Sequence, residues 1–500
     1  MKLSSLWTVV LSLSLLGGLL GESVQGQSGV SSASMGVGRA GFHRVSASGK
    51  YLMPKPEMFR VEEFVNFHRH DLRLPEQGSR VRLDVQTMTL ENGKTVLQVG
   101  LTTPRALDRK SQPPLNIVLV VDESGSMSGD KILNLKEALL AFVERFKPND
   151  KITIVGFEQQ ARVILESVER TDINEITQAI ENIHAGGGTN LHAGLMCGYE
   201  MALKHYDQER TNRVIFLTDG NANVGVIESE EIARESKQCI RQGISLVTIG
   251  LGVDFNNGLL RDISESGRGV VHYVGDAKDI KKVFVDEIDS VLAPAARNVK
   301  LTLNLGEHTH SAKLYGYEPE WKQTSDGPSV VLKFDNLNHG ATQVVIARLP
   351  DTGRAPIGSV TLSYVDAISR AKITSTANLH ATNSKRPQGN QVSVGLDRPR
   401  DKTTKPKKSR KQSQRRRDDD NKIDTQHSIN RNYTIAILAD AIVAASVSSN
   451  QGDNKRAATA IEKGIKKMYR MSDHEAHEVP DKHVKRVLKI AENYLEMLEG

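Results

Sequence analysis

The chain has 500 residues, 38% hydrophobic and 25% charged, with a formal net charge of +6. That length suggests about three domains of ~100–200 residues each, and two cysteines exclude a disulfide framework. The basic pI of 9.0 comes from one segment, Asp397 to Arg417, with eleven Lys/Arg against two Asp, so it does not describe the folded body.

Residues 1–26 carry Lys2, an apolar stretch Leu6 to Leu20, then small and polar residues through Gly26. This reads as a secretory signal peptide cleaved after Gly26, and implies export to a bacterial envelope or the extracellular space. The apolar core falls short of the ~18–20 residues of a membrane span, and an uncleaved anchor is the alternative. No cysteine follows it to carry a lipid.

An N-terminal segment covers 27–110. Gln27 to Gly49 is rich in Ser and Gly and is expected to be flexible. Arg60 to Phe67 reads as a short helix. Arg80 to Thr89 and Lys94 to Thr102 alternate around Glu91-Asn92-Gly93, which predicts a hairpin with an Asn-Gly turn. His68 and His70 form an H-x-H pair without further zinc ligands and are assigned to a surface loop.

Residues 111–293 alternate strand and helix patterns, which predicts an α/β domain with a doubly wound, mainly parallel sheet. Asn116 to Val121 is a short, valine-rich apolar run, as in a strand buried on both faces. It ends in Asp122-Glu123-Ser124-Gly125-Ser126, and a helical pattern resumes at Asp130. Gly125 is expected to give this turn an angle other residues resist. Lys151 to Val155, Ala161 to Leu165, Val214 to Leu217, Ile244 to Ile249 and Val270 to Val274 read as strands. Ile173 to Ile183, Leu191 to Tyr206, Glu228 to Arg241, Leu259 to Ser266 and Asp279 to Val291 read as helices. Ala185 to Asn190 is a glycine-rich loop bearing Thr189 before a helix, and the strand at Val214 ends in Thr218-Asp219-Gly220. Oxygen donors Asp122, Ser124, Ser126, Thr189 and Asp219, at strand ends facing a crevice, suit Mg²⁺. That ion favours near-octahedral oxygen geometry at about 2.0–2.1 Å and retains waters. Taken singly, the same residues are ordinary turn and cap residues. Cys197 and Cys239 fall in two of the predicted helices, where small apolar packing or a bridge between them are the two readings.

After Pro294 the pattern becomes all-β. Asn298 to Leu305, Ser311 to Tyr317, Ser329 to Phe334, Thr342 to Leu349 and Gly358 to Val365 read as strands. This region, 294–380, joins the hairpin at Arg80 to Thr102 in one expected sandwich, with the α/β domain inserted between its halves. Residues 381–427 form an expected basic disordered linker, low in apolar residues. Asp397 to Arg417 within it is either a solvated spacer or an arm for anionic polymer or lipid. Without interleaved aromatics it predicts no specific nucleic-acid recognition. Residues 428–500 are helical. Asn432 to Val447 is too short to span a membrane and carries Asp440. Val484, Val487, Leu488, Ala491, Tyr494, Leu495 and Leu498 form a helical stripe that needs a partner. His474-Glu475-Ala476-His477 spaces its histidines wrongly for the H-E-x-x-H zinc motif.

The order D-x-S-G-S, glycine-rich turn with Thr, and T-D-G resembles the metal-ion-dependent adhesion site of the von Willebrand factor A domain over about Asn116 to Leu292. The segments R-V-E-E-F-V-N-F and NANVGVIESEE are similar to a group of exported bacterial proteins carrying that domain. Asn221 stands where this group often has an acidic residue. The resemblance implies Ser124 and Ser126 as direct metal ligands, Thr189 as a direct or water-mediated one, and Asp122 and Asp219 as holders of metal-bound waters. Mg²⁺ is the implied ion, with Mn²⁺ or Ca²⁺ as substitutes. The implied function is non-enzymatic: an exported module whose metal coordinates an Asp or Glu of a partner protein. The alternatives are a metal-assisted hydrolase, with His192 and Glu123 nearest to act as acid or base, and a scaffold whose metal is structural. Resemblance to integrin-like domains also makes Asp279 to Val291 either a mobile final helix linked to the site or part of a rigid pair of domains.

Overall fold

The fold is that of a computed structural model, which describes residues 53–76, 78–104, 113–219, 223–228, 231–232, 234–235, 244–251, 260, 263, 271–274, 294–317, 319–324, 327–352, 356–380, 392–396, 425–471 and 481–499. They divide into two units. One runs from Leu115 through β8 below; the other is built from the chain on either side of it.

The chain begins in the split unit with a short helix α1 (Val61–Asn66) and an antiparallel hairpin, β1 (Arg82–Thr89) and β2 (Lys94–Thr102). The turn differs from the expected Asn-Gly type. Thr89 pairs with Thr95, Gly93 alone in the turn has a positive φ (79°), and its N–H donates to the Leu90 carbonyl at 3.0 Å. This longer turn needs one left-handed residue where a two-residue Asn-Gly turn needs two.

The chain then builds a six-stranded sheet in the order β5-β4-β3-β6-β7-β8. Its strands are β3 (Leu115–Asp122), β4 (Lys151–Phe157), β5 (Ala161–Glu169), β6 (Thr211–Thr218), β7 (Ser245–Leu251) and β8 (Val271–Val274). All neighbours are parallel except β4 and β5. Every residue of β3 and β6 is buried, as expected of central strands covered on both faces. The described helices are α2 (Asp130–Val143), α3 (Ile173–Glu181) and α4 (Leu191–Lys204). Because β4 lies on one side of β3 and β6 on the other, the strand order reverses at β3. Crevices form at the carboxyl ends of such strands. The expected helix at Asp279 to Val291, most of those at Glu228 to Arg241 and Leu259 to Ser266, and Cys239 lie outside the described residues. Cys197 is a half-buried free thiol, pushed up by burial and then by the Glu200 charge.

Returning to the split unit, the chain adds β9 (Pro294–Asn304), β10 (Lys313–Leu314), β11 (Glu320–Thr324), β12 (Gly327–Asn338), β13 (Thr342–Asp351), β14 (Pro356–Asp366), β15 (Lys372–His380) and β16 (Val392–Leu396). The strand β13 pairs with β2 of the early hairpin, giving a sheet β1-β2-β13-β10. The others form a second sheet, β11-β12-β9-β14-β15-β16. Leu83, Val85, Leu97 and Val99 of the first meet Leu301, Leu303, Val360 and Leu362 of the second in one core. This is the expected sandwich, closed across the α/β insertion. Three strands exceed the expectation. Polar β11 is an edge with four of five residues exposed. The Ser/Thr-rich β15 hides its buried Ile373, Ala377 and Leu379 among hydroxyls. The strand β16 corrects the reading of 381–427 as wholly disordered: it pairs with β15 along an open edge, where backbone bonding substitutes for an apolar signal. The basic segment Asp397 to Arg417 lies outside the described residues, as do the signal segment and Gln27 to Gly49.

The chain ends in α5 (Thr425–Asn450), α6 (Asn454–Met471) and α7 (Lys482–Glu499). These helices pack onto the split unit. Strand alternation puts Gln86 and Gln98 opposite the sandwich core, and there Asn432 Nδ2 of α5 donates to Gln98 Oε1 at 2.9 Å. Gln98 Nε2 donates to Gln86 Oε1 at 3.3 Å and Ser428 Oγ at 3.4 Å. The helix α5 is 26 residues long, which corrects the shorter expected segment. It has the length and apolarity to cross a membrane, but 78% of its most apolar window is buried in this fold, and Asp440 pairs with Lys313 at 2.6 Å. The apolar stripe of α7 finds its partner here, with Tyr494 edge-on to Phe59 at 6.2 Å.

His68 and His70 are not on a surface loop. They are 6% and 2% exposed because the first turn of α7 closes over them, with His483 stacked on His68 at 4.0 Å. His70 also lies edge-on to His68 at 4.5 Å. The covering residue is more than 400 positions away, so no local pattern reports it.

Candidate metal centre

The site grows from the carboxyl ends of two adjacent parallel strands, β3 and β6. Asp122 is wholly buried. Its Oδ1 accepts the Ser124 N–H at 2.8 Å and its Oδ2 accepts the Thr218 hydroxyl at 2.5 Å. A short side chain that caps the backbone two residues on is how Asp shapes a tight turn. Burial pushes the Asp122 carboxyl above the ordinary range, the bonds from Ser124 and Thr218 pull it back, and the Asp219 charge adds to the rise.

Ser124 is buried and Ser126 exposed. Their hydroxyls lie 3.0 Å apart, and Ser126 Oγ donates to Asp219 Oδ1 at 2.7 Å. Residues Gly125–Met127 make a single tight helical turn. The expected unusual angle at Gly125 is not found. The left-handed angles fall at Gly129 (φ 75°), which starts α2, and at Gly187 (φ 77°) in the second loop. A turn of regular helical angles needs no glycine, and the reversal comes two residues later.

Thr189 is buried at the start of α4, whose first turn is capped by Asn190 Oδ1 accepting from the Ala193 N–H at 3.0 Å. The three loops are bonded to one another. The Gly125 N–H donates to the Gly187 carbonyl at 3.2 Å, and the Gly186 N–H to the Glu123 carbonyl at 2.6 Å. The Thr189 N–H donates to Asn223 Oδ1 at 2.8 Å, while the Thr189 carbonyl accepts the Asn223 N–H at 3.1 Å. So the structure brings Asp122, Ser124, Ser126 and Asp219 together by hydrogen bonds at the carboxyl edge of the sheet, with Thr189 on the loop bonded beside them. Asn223 is a residue the sequence reading passed over; its place four residues after Asp219 was the available signal. Asn221, two residues before it, lies outside the described residues.

Two further residues complete the site. Lys131, in the first turn of α2, donates to Asp219 Oδ2 and, at 3.3 Å, to the Ser126 carbonyl. Glu123, 3% exposed, turns away beneath the loops. Its Oε1 accepts from Arg162 at 2.8 Å and from the His184 N–H at 3.2 Å. Gly156 leaves the space it needs, since a Cβ there would stand 2.0 Å from Glu123 Oε2. His192 Nε2 is 2.8 Å from Glu235 Oε2. Both side chains named for a hydrolytic role are thus bonded to other protein groups.

The donors fit a hard divalent cation. Two buried carboxylates, Asp122 and Asp219, share a site with serine hydroxyls, and such a pair calls for positive charge. Among the described residues no cluster of three or more His, Cys, Asp or Glu could hold a metal, so any metal bound here relies on hydroxyl oxygens.

Residues 116–286 match the family model of the von Willebrand factor type A domain. The chain is 31% identical over 262 residues to the uncharacterized protein YfbK of Escherichia coli, covering 50% of this chain and 45% of that one. It is 27% identical over 215 residues to the uncharacterized protein sll0103 of Synechocystis, covering 42% and 49%. The matched stretches thus span about half the length of these relatives. Among solved structures, a von Willebrand factor type A protein from Catenulispora acidiphila aligns at TM-score 0.48 and 14% identity, over 82% of this chain and 93% of that one.

Proposed function

We propose, from the premise that residues 116–286 are a von Willebrand factor type A domain, that this protein is an exported, Mg²⁺-dependent binding module for an acidic side chain of a partner protein. Domains of this family are typically metal-dependent protein-interaction modules, and the centres of this type bind a divalent metal. The supporting observation is the hydrogen-bonded chain of Ser124, Ser126 and Asp219 beside buried Asp122 at the ends of adjacent strands. Ser124, Ser126 and Thr189 would offer hydroxyl oxygens to the ion, with Asp122 and Asp219 behind them. A bound Mg²⁺ with neutral oxygen donors keeps electrophilic character, and so attracts a carboxylate from outside. The chain's own groups hold the donors in register: Thr218 and the Ser124 N–H orient Asp122, Asn223 fixes Thr189, and Glu123 ties its own loop to the glycine-rich loop through the His184 and Gly186 N–H groups.

The test is retention of a partner from envelope extract by the immobilised chain in Mg²⁺ and in EDTA. Retention in Mg²⁺, release by EDTA, and no retention by a Ser124→Ala, Ser126→Ala double variant are expected. Retention indifferent to EDTA would overturn the reading.

A further inference from the structure

Both oxygens of the Asp219 carboxylate are already engaged by the chain itself. Oδ1 accepts from Ser126 Oγ at 2.7 Å, and Oδ2 is held by the Lys131 ammonium. The Asp219 side chain is 0% exposed, while that of Lys131 is 37% exposed. The same ammonium also reaches the Ser126 carbonyl at 3.3 Å. A positive charge therefore sits against Ser126 and Asp219, two of the five residues assigned to the proposed metal. It is carried on a flexible stem from the first turn of α2, with open solvent available to it.

We propose that Lys131 is a tethered cation that neutralises the metal centre when no metal is bound and competes with the metal for Asp219. The inference rests on the metal-site reading above and concerns its regulation. Two cations share one buried carboxylate less well than one does, because each weakens the attraction the other feels and the pair repel. Metal entry thus requires the ammonium to swing outward or to give up part of its contact. The affinity for Mg²⁺ is held down, and the empty site is held together.

The experiment compares wild type, Lys131→Met and Lys131→Arg. Mg²⁺ affinity is measured by calorimetric titration, and urea midpoints are measured in EDTA and in saturating Mg²⁺. A charge-assisted bond to a buried carboxylate is strong enough that its loss should tighten Mg²⁺ binding by roughly tenfold in K131M. K131R, which keeps the charge, should stay near wild type. In EDTA the K131M midpoint should fall below that of K131R, and Mg²⁺ should close the gap. A residue that only supported the loop would weaken metal binding when removed, so equal or weaker Mg²⁺ affinity in K131M overturns the proposal. Should wild type bind no Mg²⁺, the metal reading is lost for the native chain. Binding gained by K131M would then establish Lys131 as the block, and none gained would reject it.

Discussion

At the scale of single residues, Asp122 carries the most consequence. It ends a strand, which suggests a group detachable from the fold, yet it is wholly buried and accepts two hydrogen bonds. Asp122→Ala is therefore expected to act twice. It removes a carboxylate from the metal centre, and Mg²⁺ affinity should fall by at least about tenfold, or ~1.4 kcal/mol. It also removes the acceptor of the Thr218 hydroxyl and Ser124 N–H bonds inside the fold, at a cost of about 1–3 kcal/mol in stability. Calorimetric titration and urea unfolding separate the two effects. Unchanged Mg²⁺ affinity would remove Asp122 from the site.

At the scale of elements, the loops after β3, α3 and β6 act together because they are bonded to one another. Glu123 is central to this: its backbone carbonyl accepts the Gly186 N–H, and its carboxylate accepts from Arg162 and the His184 N–H. Glu123→Ala should leave the sheet intact but free the loop that carries Thr189. We expect faster hydrogen exchange at residues 184–189 and weaker Mg²⁺ binding, with β3 protection unchanged. Exchange identical to wild type would mean that the loop holds its shape without Glu123. Along the sequence Glu123 looks like a metal-facing acid; its side-chain partners, Arg162 and the His184 N–H, come from β5 and a loop, and only the fold reveals them.

At the scale of the whole molecule, the split unit is closed over a histidine cluster. His68, His70 and His483 bring an early loop against the start of α7. His70 Nε2 is 3.1 Å from Asn66 Oδ1, and His70 Nδ1, His68 Nε2 and His483 Nδ1 are buried without a hydrogen-bond partner. Burial is the main cause that lowers all three, His70 to about 3 and His483 to about 4, with the Arg431 charge acting in the same direction on each. Arg486 adds to this for His68 and His483, and Asp481 opposes it at His483. The folded protein thus keeps these rings neutral where the unfolded chain protonates them near pH ~6.5. Stability is complete above that value and falls as pH drops toward the folded values. At pH 5, fully buried His70 alone should account for ~2 kcal/mol. Urea midpoints at pH 7.5 and 5.0 should differ by less in a His70→Gln, His483→Gln variant than in wild type. Equal differences would show that these rings do not set the acid sensitivity.

Features with a local cause can be read along the chain. Valine-rich runs such as Asn116 to Val121 become central strands because a strand covered on both faces has no polar side to show. The motif order brought Asp122, Ser124, Ser126, Thr189 and Asp219 into view because parallel strands place their carboxyl ends on one edge. The sandwich was legible from strand alternation on either side of the insertion. Other features arise from contacts between residues far apart in the chain and show no local pattern. The strand β16 exists through backbone bonds to β15, and α5 is a core helix because Gln98, Lys313 and Met53 lie beneath it. His68 is buried by His483, and Lys131 meets Asp219 across 88 residues of chain. Periodicity reports which face of an element is buried, but the identity of what covers it is set by packing of the whole chain.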